Sequence, residues 1–163
     1  MIEINNFLRH SMINEINPVR NKTPDPEEIS NGINWGIGVK AVIIDVGKVL
    51  MIRRRLNDPH NPGQWDLPGG RIKPTESPQD GLIRETKEES NLNIKVIFPL
   101  DVQHFTRQDG QIINLIFFLC KKISNDIKLS EEHTEYKWVD LTEPKSEFPE
   151  WLYQVIDNYL LTL

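Results

Sequence analysis

The chain has 163 residues, of which 38% are hydrophobic and 26% charged, a composition typical of one globular domain with its own core. The formal net charge of −5 argues against a general nucleic-acid binder, and the single cysteine excludes an intrachain disulfide and a cysteine-based metal cluster. The most apolar segment, Ile112 to Cys120, is too short to cross a membrane, so we expect a soluble cytoplasmic protein without a membrane partner.

The first 33 residues differ in pattern from the rest of the chain. Apolar residues at helical spacing predict an amphipathic helix over residues 3–16, and a polar connector with several prolines follows it. We expect this N-terminal arm, residues 1–33, to pack on the main domain, residues 34–163, or to form the contact of a homodimer.

From Trp35 onwards, short runs rich in aliphatic and β-branched residues predict strands. Val46 and Gly47 separate the first two runs and predict a hairpin, and a second hairpin is predicted around Gly110. The predicted strands are 35–45, 48–55, 93–107, 111–123 and 135–141. One helix is predicted between them and another over residues 148–161, which indicates an α+β fold with helices covering a sheet.

The first of these helices begins with clear signals, because Ser77 suits the N-cap and Pro78 the first helical position. Glu85, Glu88 and Glu89 fall on one face of it, where like charges repel by a few tenths of a kcal/mol per pair. A solvated charged face is the ordinary interpretation of such a cluster. A glycine turn lies just before the helix, however, and clustered oxygen ligands are what Mg²⁺ or Mn²⁺ requires.

Other positions of the same helix give further expectations. Leu82, Ile83 and Thr86 form the neighbouring face and are expected to dock on the sheet. Gly81 lies on the acidic face and is interpreted as leaving room for something to approach. Within the helix, Arg84 is the only nearby cation at good spacing from the three glutamates. Because one cation does not balance three carboxylates, we expect the cluster not to be neutralised within the helix.

The whole stretch resembles the Nudix box, with the pattern G-x5-E-x7-R-E-U-x-E-E-x-G-U in which U is aliphatic. The residues on its fixed positions are Gly70, Glu76, Arg84, Glu85, Glu88, Glu89 and Leu92. A spaced match of this length is highly specific. Thr86 and Asn91 depart from the pattern, but neither change removes a carboxylate, and Asn tolerates the left-handed conformation that a helix C-cap needs.

The resemblance implies an αβα sandwich, with a mixed β-sheet between helices, that hydrolyses a nucleoside diphosphate linked to another group. It implies Mg²⁺ or Mn²⁺ as cofactor, held by Glu85 and Glu89, with Glu88 sharing and the Gly69 carbonyl completing the ligand shell. Arg84 is then expected to pair with Glu76 and to hold the preceding loop on the helix.

The resemblance also points to residues outside the helix. Arg54, at the end of a strand, and Arg71, after the glycine turn, are candidates for substrate binding, although a solvated strand end or loop is nearly as good an interpretation. Glu132 is chosen as the loop carboxylate that acts as general base, because it lies shortly before a late strand. The four histidines share no spacing and are interpreted as surface or loop residues, and Cys120 as a core residue.

The substrate is less well defined than the reaction. Sequence markers of other Nudix groups, a proline or a tyrosine near Arg107 among them, are absent here, which favours nucleoside triphosphates. ADP-ribose or another sugar nucleotide is the alternative. A nucleotide-sensing module without turnover also stays open, but it does not explain several uncompensated glutamates.

Overall fold

The computed structural model describes residues 35–59, 61–107 and 110–163 of the chain. The chain divides into two units after Ile33, and the description below concerns the second. The predicted helix of the N-terminal arm and the packing or dimer contact expected of it lie outside the described residues.

Six strands form a mixed sheet. They are β1 (Trp35–Asp45), β2 (Lys48–Arg54), β3 (Trp65–Asp66), β4 (Ile94–Thr106), β5 (Ile112–Lys122) and β6 (His133–Asp140). The order is β3-β2-β1-β5-β4, and β6 pairs with β2. Only β1 and β5 are parallel, and the other pairs of neighbours are antiparallel. Both predicted hairpins are confirmed by the pairing of β1 with β2 and of β4 with β5.

The turn between β1 and β2 shows why the sequence folds sharply there. Val46 and Gly47 both have positive φ angles, 46° and 72°, and glycine reaches this region without steric cost. Two such residues between antiparallel strands match the twist of a tight hairpin.

Two helices cover the two faces of the sheet: α1 (Pro78–Ser90) and α2 (Tyr153–Leu160). Short 3₁₀ turns, Lys145–Glu147 and Glu150–Leu152, precede α2, so the final α-helix begins five residues later than the apolar pattern predicts. The prolines in this segment remove backbone donors and account for the broken start.

Each helix seals its own hydrophobic cluster. Successive residues of β1 point to opposite faces, so Val42 packs with α2 while Val39 and Ala41 pack with α1. Leu82 and Thr86 of α1 are fully buried as expected, whereas Ile83 is 40% exposed. The expectation that Ile83 docks on the sheet is therefore wrong.

The arrangement is an α+β sandwich, as predicted. Cys120 lies in the α1-side cluster, where burial raises the pKa of its thiol to about 12, which fits a core residue and not a nucleophile. Within the part of the chain that the structure describes, none of the helices combines the length and the apolar character needed to span a bilayer.

Candidate active site

The glycine turn after β3 lies directly against β1. The amide of Ala41 donates to the carbonyl of Pro68 at 2.8 Å, and the amide of Val39 donates to that of Gly70 at 2.9 Å. Between these two bonds Gly69 has a φ of 135°, and a Cβ atom there would lie 2.1 Å from the Val39 carbonyl oxygen. Only glycine fits at this position, so the turn is held in one conformation on the strand.

Helix α1 is fixed at both ends beside this turn. The Ser77 hydroxyl accepts from the Asp80 amide at 3.1 Å, which is the predicted N-cap. Asn91 ends the helix with a φ of 61°, so asparagine does adopt the left-handed conformation where the family pattern has glycine. Both caps orient the acidic face of the helix with respect to Gly69.

Glu89 is the carboxylate that the fold buries most deeply in this face, with 7% of the residue exposed. The Gly69 amide donates to its Oε2 atom at 2.8 Å and joins the helix to the turn. Burial raises the pKa of Glu89 to about 7, although the nearby Lys40 and the Gly69 amide favour its charged form. Additional positive charge near such a buried carboxyl would stabilise its charged form.

Arg84 is the centre of a network of carboxylates. Its guanidinium donates to Glu76, the expected pairing, at 2.5 and 3.0 Å. The hydrogen bond from Arg84 holds the pKa of the Glu76 carboxyl at about 2. Arg84 also reaches Glu85 at 2.7 Å and Glu88 at 3.1 Å, so the expectation that the cluster is not neutralised within the helix is wrong.

The space beside Gly81 is filled by the chain itself. A Cβ atom on Gly81 would lie 2.8 Å from a methyl carbon of Ile72 and 3.0 Å from Oε1 of Glu76. The missing side chain therefore lets the loop that carries Glu76 lie flat on α1. The interpretation that Gly81 leaves room for another species to approach the acidic face is wrong.

Two of the three expected glutamate ligands, Glu85 and Glu89, contact the glycine turn. Glu85 packs on the turn, since a Cβ atom on Gly70 would lie 2.6 Å from Glu85 Oε2. Gly69 contacts Glu89, and Glu88 is the most exposed of the three glutamates, with 58% of its side chain accessible. Among the described residues no three acidic, histidine or cysteine side chains are grouped closely enough to hold a metal ion, and Arg84 forms ion pairs with Glu85 and Glu88.

A second group of charges lies behind the turn. The Lys40 ammonium contacts Asp66 at 2.7 Å, and Arg54 contacts both Asp66 and Asp58 at 3.2 and 3.1 Å. Burial raises the pKa of the Asp66 carboxyl, but the charges of Lys40 and Arg54 outweigh it and hold that pKa below its ordinary value. Arg54, a predicted substrate-binding residue, is thus engaged in ion pairs on this side of the site.

His133 is a residue that the sequence interpretation missed. Its side chain is 1% exposed, and Nε2 lies 3.8 Å from Oε1 of Glu89 without a hydrogen bond of its own. Burial lowers the pKa of His133 to about 4, so the ring is neutral at neutral pH. The interpretation of His133 as a surface or loop residue is wrong, since it is the buried first residue of β6, and its position after polar residues gave no sign of burial.

The remaining predicted residues lie at the surface. Glu132 immediately precedes His133 and is exposed, and its carbonyl accepts from the Arg55 amide at 3.0 Å. Arg71 is exposed as well, and its guanidinium lies within 3.5 Å of the position that a Cβ atom on Gly36 would occupy. The structure therefore joins Gly69 to Glu89 and Arg84 to Glu85, and leaves Glu132 and Arg71 exposed at the surface.

A sandwich of this kind, with carboxylates of one helix set against a glycine turn, defines a class of acid-anhydride hydrolases. The NUDIX domain model matches residues 35–159, which is most of the chain. The chain belongs to the NUDIX family and is a Nudix pyrophosphohydrolase.

Three relatives illustrate the range of this family. A MutT protein from Methanosarcina mazei of known crystal structure is 30% identical, with a TM-score of 0.71 over 79% of this chain and 95% of that one. An ADP-ribose pyrophosphatase from Methanocaldococcus jannaschii is 32% identical over 69% of this chain and 66% of its own length. The nucleoside triphosphatase NudI from Escherichia coli is 37% identical over 48% of this chain and 62% of its own length.

Proposed function

We propose that the protein is a divalent-cation-dependent hydrolase that cleaves a phosphoanhydride bond of a nucleoside triphosphate. Water adds to one phosphorus atom, the bridging P–O bond breaks, and a proton is released from the attacking water. The observation that carries this proposal is the buried Glu89 carboxyl, joined to the Gly69 amide and next to two further glutamates on one helix face.

These residues fit Mg²⁺ or Mn²⁺ in their chemistry. All the donors are oxygen atoms, which hard divalent cations prefer, and the raised pKa of Glu89 marks a buried carboxyl that a cation would stabilise in its charged form. The residues that would hold the cation are Gly69, through its carbonyl, and Glu85, Glu88 and Glu89. When bound, the cation supplies positive charge next to the phosphate oxygens and activates water for attack.

The other residues act around this group. Arg84 holds the Glu76 loop on α1 and keeps Glu85 and Glu88 on one side of the helix. Arg71, exposed beside the glycine turn, is proposed to contact a substrate phosphate. Arg54 forms ion pairs with Asp58 and Asp66 next to the glycine turn. It is proposed to contribute to substrate binding through the positive charge of its guanidinium. Glu132 is proposed as the general base at the rim of the site.

A sugar nucleotide such as ADP-ribose is the second candidate substrate. The relative from Methanocaldococcus jannaschii supports it, because that protein is named an ADP-ribose pyrophosphatase and aligns with more of this chain than NudI does. NudI has the higher identity and supports a nucleoside triphosphate.

A substrate panel tests the proposal. The purified protein is incubated with each nucleoside triphosphate, with ADP-ribose and with UDP-glucose, in Mg²⁺ or after EDTA treatment, and the products are separated by ion exchange. We expect turnover of at least one triphosphate, its loss in EDTA, and its recovery when Mg²⁺ or Mn²⁺ is added. Full activity after thorough chelation would contradict the cation-dependent mechanism, and turnover of ADP-ribose alone would contradict the proposed substrate.

A further inference from the structure

Lys40 is a buried cation in the middle of an apolar strand. Its neighbours in β1, Val39 and Ala41, are fully buried, and Lys40 itself is 7% exposed. A lysine in such a position is costly unless its charge and its three donors all find partners.

All three donors are satisfied by the segment that leads into the glycine turn. The ammonium donates to the Asp66 carboxylate at 2.7 Å, to the Leu67 carbonyl at 3.0 Å and to the Gly69 carbonyl at 3.2 Å. Lys40 therefore links the last residue of β3, Asp66, to the Gly69 carbonyl in the glycine turn.

Gly69 connects this cation to Glu89. Its carbonyl oxygen accepts from Lys40, while its amide donates to Glu89 Oε2 at 2.8 Å. A carbonyl oxygen has two lone pairs, so the contact with Lys40 leaves one for a further ligand. Asp66 offsets the charge of the ammonium, which limits its repulsion of an incoming cation.

We propose that Lys40 is a positioning residue, which holds the Gly69 carbonyl and, through the Gly69 amide, the Glu89 carboxyl in the orientation that a divalent cation requires. This inference rests on the proposed function for its cation and on the hydrogen bonds above for its geometry. Lys40 touches neither substrate nor the reacting atoms, so it acts on kcat and on cation affinity and not on KM.

The test compares Lys40→Met with Lys48→Met, an exposed lysine of the neighbouring strand β2. Mn²⁺ affinity is measured by electron paramagnetic resonance, and the exchange rate of the Gly69 amide by NMR in EDTA. Residues that orient metal ligands typically contribute about 10- to 100-fold to metal affinity or activity. We therefore expect Lys40→Met to weaken Mn²⁺ binding and to lower kcat on that scale, to speed Gly69 amide exchange, and to leave KM near the wild-type value. Lys48→Met should match the wild type.

A double variant, Lys40→Met with Asp66→Asn, separates positioning from simple stability. In Lys40→Met the buried Asp66 keeps only Arg54 as a charged partner, so removing its charge as well should raise the melting temperature relative to the single variant. If Lys40 positions Gly69, Mn²⁺ affinity stays low in this double variant. If Lys40 serves only the ion pair, affinity recovers with stability, and the proposal is overturned. The double variant also decides the matter if Lys40→Met alone does not fold.

Failure of the Lys40 proposal can be distinguished from failure of the proposed hydrolase function. A wild-type protein that neither binds Mn²⁺ nor turns over any nucleotide would contradict that function. The exchange rate of the Gly69 amide is measured in EDTA and does not depend on the proposed hydrolase activity. Unchanged exchange in both Lys40 variants would therefore overturn the positioning role by itself.

Discussion

At the residue scale, the Glu89 carboxyl is the group whose charge the fold opposes most clearly. Burial raises its pKa from 4.5 to about 7, against the attraction of Lys40 and Arg54 and together with the repulsion of Asp66. The folded state thus retains a proton that the unfolded chain has lost between these pH values. The stability that this proton confers is complete below pH 4.5 and is lost as the pH rises through about 7.

Replacing Glu89 by glutamine should therefore stabilise the metal-free protein at alkaline pH. Glutamine forms helix equally well and carries no charge at any pH, so it removes a penalty of about 3 kcal/mol. We expect the melting temperature of Glu89→Gln in EDTA to exceed that of the wild type at pH 8 and to match it near pH 4.5. At the same time kcat should fall by orders of magnitude, because a ligand charge is lost.

Glu88→Gln is the matched control for this effect, since Glu88 lies on the same helix with 58% of its side chain exposed. Its melting temperature in EDTA should differ little from the wild type, and by the same amount at both pH values. A Glu89→Gln variant that retains full turnover would show that the assignment of this ligand is wrong.

At the scale of elements, helix α1 and the strands were predictable because their signals are local. Ser77, Pro78 and Asn91 mark the ends of α1 by conformational preferences that act within one turn of helix. The hairpin at Val46 and Gly47 is equally local.

The surroundings of the site were not predictable in this way, since they depend on segments that meet only in the folded chain. Lys40 and Asp66 are 26 residues apart, and His133 reaches Glu89 from the start of β6. A lysine among apolar residues in β1 was a sign of a buried ion pair, whereas the surroundings of His133 are polar in sequence. Arg84 was expected to bind Glu76, but its additional bonds to Glu85 and Glu88 depend on side-chain orientation.

The segment before β6 carries the prediction about the general base. Glu131 and Glu132 are both exposed, and both precede the buried His133. Loss of a general base typically lowers the rate by about 10²- to 10⁴-fold. We expect Glu132→Gln to lower kcat on that scale and Glu131→Gln to stay near the wild type, as measured in steady-state assays with the preferred nucleotide. Equal, small effects of the two substitutions would exclude Glu132 as the base.

At the scale of the whole molecule, the residues proposed for chemistry all belong to the second unit of the chain. They lie between Arg54 and Glu132, and the NUDIX domain model covers residues 35–159. The N-terminal arm contributes an apolar stripe to the sequence but no cluster of groups suited to acid–base or metal chemistry. Its proposed role is therefore packing or dimerisation.

Deleting residues 1–31 tests that role. We expect the truncated protein to fold and to turn over the same substrate with a similar kcat at saturating Mg²⁺, because every proposed ligand and the glycine turn are retained. Size-exclusion chromatography of both forms over a range of concentrations measures whether the arm mediates dimerisation, in which case only the full chain elutes as a dimer. A truncated protein that is folded and binds Mn²⁺ normally, yet turns over no substrate at any protein concentration, would show that the arm takes part in the chemistry.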